Sequence, residues 1–154
     1  MQQAVDCSSS YGNNGCYNGR MDNVFSYVRA VGINTWNSYP YVGTLQSCKA
    51  FSGLFKISGY TSVPDCNTLA TALANRPISV AVDGNNMQSY TGGIFWNCGT
   101  NLSLPLLLVG MNDSYWTLKN SWGASWGEKG YIRIQRGNTC GVCMAAVYPN
   151  AWDY

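Results

Sequence analysis

The stretch Asn120-Ser-Trp-Gly-Ala-Ser-Trp-Gly-Glu-Lys-Gly-Tyr131 decides how the rest of the chain is read. Two Trp-Gly steps stand four residues apart behind an asparagine. Glycine permits tight turns and a buried indole needs a partner for its N–H, so the run describes a hinged turn carrying two aromatic plates beside a side-chain amide. A Trp-rich corner of a core would use the same residues. The flanks argue for more. Tyr115-Trp-Thr-Leu-Lys119 leads in and Tyr131-Ile-Arg-Ile-Gln-Arg136 leads out, so two strands bracket the turn.

Outward from that turn, composition sets the frame. The chain has 154 residues, 46% hydrophobic and only 10% charged, which is enough to bury a core and too apolar for a disordered segment. The net charge is +2 and the nine basic residues are scattered, so no phosphate-neutralising stripe exists and nucleic acid is excluded as a partner. Lys129, Arg133 and Arg136 cluster only as the solvated face of a strand. The longest apolar run, Leu104 to Val109, is broken by Pro105 and far too short to span a bilayer, so no membrane partner is expected. The start, Met1-Gln-Gln-Ala-Val-Asp-Cys7, lacks the pattern of a signal peptide. Seven cysteines nevertheless suggest a disulfide framework and an oxidising compartment, with one thiol left over. The only CxxC, Cys140 to Cys143, has no second pair and no histidine to complete it, so neither a metal nor another cofactor is expected. Two sequons, Asn101-Leu-Ser103 and Asn112-Asp-Ser114, are compatible with secretion.

In chain order, residues 8 to 19 are turn formers and read as a loop. Met21, Val24, Phe25, Val28 and Val31 recur at helical spacing, which predicts an amphipathic helix with Asn18 as a cap, Asp22 in its first turn and Gly32 as its stop. Asn34 to Gly53 reads as irregular, and Phe55 to Val63 as a strand. Pro64-Asp65 opens a short helix with Leu69, Ala72 and Leu73 on its apolar face. Strands are predicted at Ile78 to Asp83, Leu106 to Val109, Tyr115 to Lys119 and Tyr131 to Arg136. The chain changes character near residue 54, from helix and loops to strands, with no linker between the parts.

Val5-Asp-Cys-Ser8, Gly15-Cys16, Met21-Asp-Asn23, Tyr39-Pro-Tyr41, Pro77-Ile-Ser-Val-Ala-Val82, Tyr90-Thr-Gly-Gly-Ile-Phe95, Cys98-Gly99 and Asn120 to Tyr131 occur in the order found in papain-like cysteine peptidases. The whole chain resembles the back portion of that family, and of its cathepsin L-like members in particular. The resemblance implies an α+β, papain-like two-lobe fold: residues 1–54 as an incomplete helical left lobe, residues 55–154 as an antiparallel β-barrel right lobe, and a peptide or protein ligand in the cleft between them. It implies disulfides Cys7 to Cys48 and Cys98 to Cys140. Cys16 matches a family cysteine whose partner lies upstream, while Cys66 and Cys143 either pair with each other or stay as buried thiols. By resemblance the compartment is lysosomal or extracellular.

The family's chemistry needs a thiolate and an imidazole that holds its proton and later protonates the leaving amine. By resemblance Asn120 is the third member of the triad, Trp122 shields it from water, and Gly19 and Met21 line the substrate site. The family's nucleophile lies in a Gln-Gly-x-Cys-Gly-Ser-Cys-Trp context that none of the seven cysteines shares. Where the family reads Leu-Asn-His-Ala-Val, this chain reads Leu102-Ser-Leu-Pro-Leu106, which puts Leu104 at the histidine. The chain contains no histidine at all. The expectation is a proteolytically inactive homologue that binds a peptide or protein. The alternative is an incomplete cysteine endopeptidase that is active when its front half is present. With Leu104 opposite, the Asn120 amide must find Ser103, backbone or water. Pro105 removes an N–H that only a strand start or edge can forgo. The apolar face of the Met21 helix is expected to be partly uncovered, and a complementary chain or an oligomer to cover it.

Overall fold

The computed structural model describes residues 1–151. They divide into two compact units, Met1–Thr61 with the chain from Pro149 onward, and Ser62–Tyr148.

The first unit holds helices α1 (Gln2–Cys7) and α2 (Met21–Ala30). α2 forms where the spacing predicts, and Tyr27 and Val28 are its buried residues. Its N-cap is Arg20 rather than Asn18, because Asn13 accepts the Arg20 backbone N–H at 2.8 Å and so sets the entry to the helix from across the loop. Gly32, in the left-handed region at φ 91°, ends it by returning its N–H to the Val28 carbonyl. α1 has no apolar stripe. Its buried side chains are Gln2, Gln3 and Asp6, and each one holds a distant backbone segment. The long irregular segment from Asn34 to Gly53 is shaped by those contacts and by the Cys7–Cys48 disulfide.

The second unit is organised on a sheet. The strands are β1 (Gly59–Val63), β2 (Ile78–Val82), β3 (Ile94–Phe95), β4 (Leu104–Met111), β5 (Tyr115–Lys119), β6 (Tyr131–Gln135) and β7 (Ala146–Asn150), in the order β1-β7-β2-β4-β5-β6-β3. The division between units falls inside β1 and β7. Every pairing given by residue register is antiparallel except β3 on β6. The sheet is open and not the closed barrel expected: β1 and the two-residue β3 are its edges and do not meet. α3 (Cys66–Leu73) starts at Asp65, whose carboxylate accepts the N–H groups of Asn67 and Thr68.

The core follows the period-two alternation of the strands. Ile78, Val80 and Val82 from β2, Leu106 and Leu108 from β4, Trp116 and Leu118 from β5, and Ile132 and Ile134 from β6 point to one side and are buried with Leu69 and Leu73 of α3. Disulfides Cys66–Cys143 and Cys98–Cys140 lie in this unit, and Cys16 in the first unit is unpaired and exposed. Arg133 and Arg136 are not simply solvated: Arg133 lies over the Tyr115 ring and Arg136 over Trp116, at 5.1 Å and 3.8 Å from the ring centres.

Candidate active site

Leu104 and Asn120 sit at one end of the β4–β5 pair. Leu107 pairs with Lys119, so the first residues of β4 and the residue after β5 fall at the same end of the sheet. β4 begins two residues before the predicted start and runs through Pro105, which lies opposite Ala81 of β2. Ala81 gives its own N–H to Ala145, away from β4. The antiparallel pattern then turns the Pro105 nitrogen toward the β5 flank, where pairing starts only at Leu107. The proline is therefore placed where no ladder bond is lost.

Behind Leu104, a buried carboxylate fixes the approach. Asp83 accepts the N–H of Asn85 at 3.0 Å and of Asn101 at 3.2 Å, and these backbone donors hold its carboxyl below the usual carboxylate range. Ser103 gives its N–H to the Val82 carbonyl, and its hydroxyl oxygen accepts the Gly84 N–H at 3.1 Å. Gly84 runs so close to β4 that a Cβ placed on it would lie 2.9 Å from the Leu104 Cβ. Ser103 holds this turn and makes no bond to Asn120 Nδ2.

Asn120 is only 9% exposed. Its N–H bonds the Gly130 carbonyl and its Oδ1 accepts the Ser121 N–H at 2.7 Å. Its Nδ2 is buried with no hydrogen-bond partner among the described residues. An unpaired buried donor of this kind costs about 1–3 kcal/mol. The indole of Trp122 is 39% exposed and meets Trp126 edge to face, ring centres 5.1 Å apart. Trp126 is the better-anchored plate: its Nε1–H bonds the Met87 carbonyl at 3.0 Å and its ring packs on Tyr90.

The turn itself is held by residues that the motif reading missed. Glu128 accepts both a two-pronged contact from Arg133 and the Gly93 N–H. The Arg133 guanidinium, first among these, holds the Glu128 carboxyl below its ordinary value. Tyr90 donates its hydroxyl to the Gly93 carbonyl at 2.7 Å, and burial pushes that hydroxyl up. Glu128 lies inside the quoted stretch and Arg133 two residues beyond its end, so an opposite-charge pair across a tight turn was the available signal. The shifts at Asp83, Glu128 and Tyr90 all move away from neutrality.

Gly19 and Met21 belong to the first unit. Gly19 is exposed and lies against Asn13, whose Oδ1 would be 3.0 Å from a Cβ there. Met21 is the first residue of α2 and is half-buried. Arg20 between them pairs with Asp22 at 2.9 Å on the surface.

The model of the papain family of cysteine proteases matches residues 1–150. The chain belongs to that family. Cathepsin L 2 of Paramecium tetraurelia is 42% identical over 151 residues, which are 96% of this chain and 48% of that protein. Vignain of Ricinus communis is 42% identical over 167 aligned residues, 96% of this chain and 46% of its own length. Among solved structures, the Carica candamarcensis cysteine protease CMS1MS2 in complex with E-64 superposes with a TM-score of 0.90 at 34% identity, covering 99% of this chain and 76% of that one. The digestive procathepsin L 3 of Tenebrio molitor larval midgut gives 0.89 at 41% identity, over 97% and 54%. This papain-family chain thus has the papain-like fold and spans about half the length of the curated relatives it matches. It carries no histidine anywhere in its sequence.

Proposed function

We propose that this papain-family chain does not hydrolyse peptide bonds with its own side chains and instead binds a peptide or protein segment at the end of the β4–β5 pair around Asn120 and Trp122. The observation that carries the reading is the unpartnered Nδ2 of Asn120 at the same end of the sheet as Leu104. By resemblance that amide oriented an imidazole at position 104, and leucine neither holds nor releases a proton. In a triad hydrolase, loss of the base alone lowers turnover roughly 10⁶-fold. Three disulfides fit an oxidising compartment, lysosomal or extracellular. Among the described residues no helix is long and apolar enough to cross a membrane.

Purified chain is incubated with a fluorogenic peptide, with and without Leu104→His. No turnover is expected from the unaltered chain. Turnover that an active-site thiol reagent abolishes would overturn the proposal. A second reading, favoured by the half-length coverage, is a cysteine endopeptidase completed by residues beyond these 154. It needs its base from elsewhere than position 104, so fusing this chain to the front half of a cathepsin L-like relative separates the two: activity without Leu104→His supports the second reading, and activity only with it supports the first.

A further inference from the structure

The first unit carries a second recognition feature, remote in chemistry from Asn120. The segment from Asn34 to Gly53 has no helix or strand, yet its backbone is tied down at several points by buried side chains of α1. Gln2 Oε1 accepts the N–H groups of Val42 and Gly43, and its Nε2 donates to the Thr44 carbonyl. Gln3 accepts the Asn34 N–H. Asp6 accepts the Gln46 N–H at 2.8 Å and the Tyr39 hydroxyl at 2.9 Å, and Tyr39, its hydroxyl pushed up by burial, accepts the Lys49 N–H in turn. The Cys7–Cys48 disulfide closes the same segment. A loop fixed this thoroughly has little conformational freedom left to lose on binding.

What it holds outward is apolar and aromatic. Trp36 is 57% exposed and Tyr41 50%, their rings 6.1 Å apart and tilted, so they form one open platform. Pro40 and Val42, the sequence neighbours of Tyr41, wall a cavity of about 160 Å³ with Ala50, and Gln46 and Lys49 rim it. That is below the roughly 300 Å³ at which small-molecule pockets begin, so the cavity suits a single side chain. Its polar rim is selective. The Asn34 amide is already bonded to Ser52 and Leu54, and Ser38 shares its hydroxyl with Thr35. Lys49 Nζ gives one hydrogen to Gln46 Oε1 and makes no ion pair among the described residues. Among the groups left over are donors: the remaining ammonium hydrogens of Lys49 and the amide hydrogens of Gln46. Such a rim takes an acceptor, best a charged one.

We propose that this loop is a docking site for an acidic peptide segment, with a Glu or Asp carboxylate in the cavity against Lys49 and Gln46 and a neighbouring aromatic or aliphatic side chain on the Trp36–Tyr41 platform. An exposed ion pair alone gives little affinity, and the platform supplies the apolar contact that a lone lysine lacks. A neutral sugar brings no charge to the Lys49 ammonium, so the carboxylate is the better partner.

The test uses the full chain and a fluorescein-labelled, end-blocked peptide Gly-Phe-Glu-Leu-Gly, its Gln counterpart and maltotriose as a competitor, read by fluorescence anisotropy. Saturable binding is expected, at least tenfold weaker for the Gln peptide, weakening with salt, and untouched by maltotriose. Lys49→Gln and Trp36→Ala should each weaken it about tenfold, and Lys49→Arg should restore it. Unchanged thermal melts show that these surface variants remain folded. No binding up to millimolar peptide, equal binding of the Gln peptide, displacement by maltotriose, or indifference to both Lys49→Gln and Trp36→Ala would each overturn the proposal.

Discussion

The polar interior of the first unit and the polar interior at the end of β4 and β5 solve the same problem in opposite ways. Around α1, the amides of Gln2 and Gln3 and both carboxylate oxygens of Asp6 have partners, and a loop without regular structure is held by them. Around Asn120, one half of a buried amide is paired and the other half is not. Buried polar groups are retained at little net cost when every one is satisfied, and each one left over is a liability. The first region is a structural network still complete. The second leaves one buried donor without a partner among the described residues.

Four experiments press on that contrast. The largest effect is expected from Cys7→Ser with Cys48→Ser. The bridge closes a separation of 41 residues, for which the chain-entropy estimate is roughly 4 kcal/mol, read from urea denaturation. Next, Asp6→Ala leaves the Gln46 N–H and the Tyr39 hydroxyl without their acceptor, and should cost about 3 kcal/mol with faster amide exchange concentrated in residues 34–53. Asn120→Leu should behave in the opposite sense, between neutral and about 1 kcal/mol stabilising in a thermal melt, because it removes the orphaned donor along with one ordinary bond. A clear loss of stability there would show that the amide has a partner in solution and would erase the contrast.

The smallest effect is an acid limb. Asp83 and Glu128 are both held below their ordinary values, so their contribution to stability is fully present above about pH 4 and falls away as pH drops through the lower folded values. Glu128→Gln should flatten that limb slightly in melts between pH 2 and 5 (roughly the carboxylate range) and lower neutral stability by the same small amount, since the pair it breaks is partly solvated.

Much of the fold was legible because apolar residues kept a strict period. β5 was read with its observed bounds, β2 and β6 to within a residue, and α2 from its stripe. α1 escaped for a physical reason: its inward face is Gln2, Gln3 and Asp6, and hydrophobic periodicity does not register a helix that packs through hydrogen bonds. β3 is two residues long, and β7 contains Pro149, so neither presents an alternating run. At the candidate site the sequence showed Asn120, Trp122 and Leu104. It did not show that Ser103 would be taken by Gly84, because that bond depends on how closely the turn after β2 passes β4. Nor did it show that Trp126, rather than Trp122, is the indole with its N–H satisfied.

The close passage of Gly84 against Leu104 has a bearing on descent. The crowding there is with the Cβ of residue 104, an atom that leucine and histidine share, so glycine is required at 84 whichever of the two stands opposite. Exchange between them asks for no compensating change in that backbone, and on packing grounds the lineage could have crossed from one to the other, in either direction, by a single substitution.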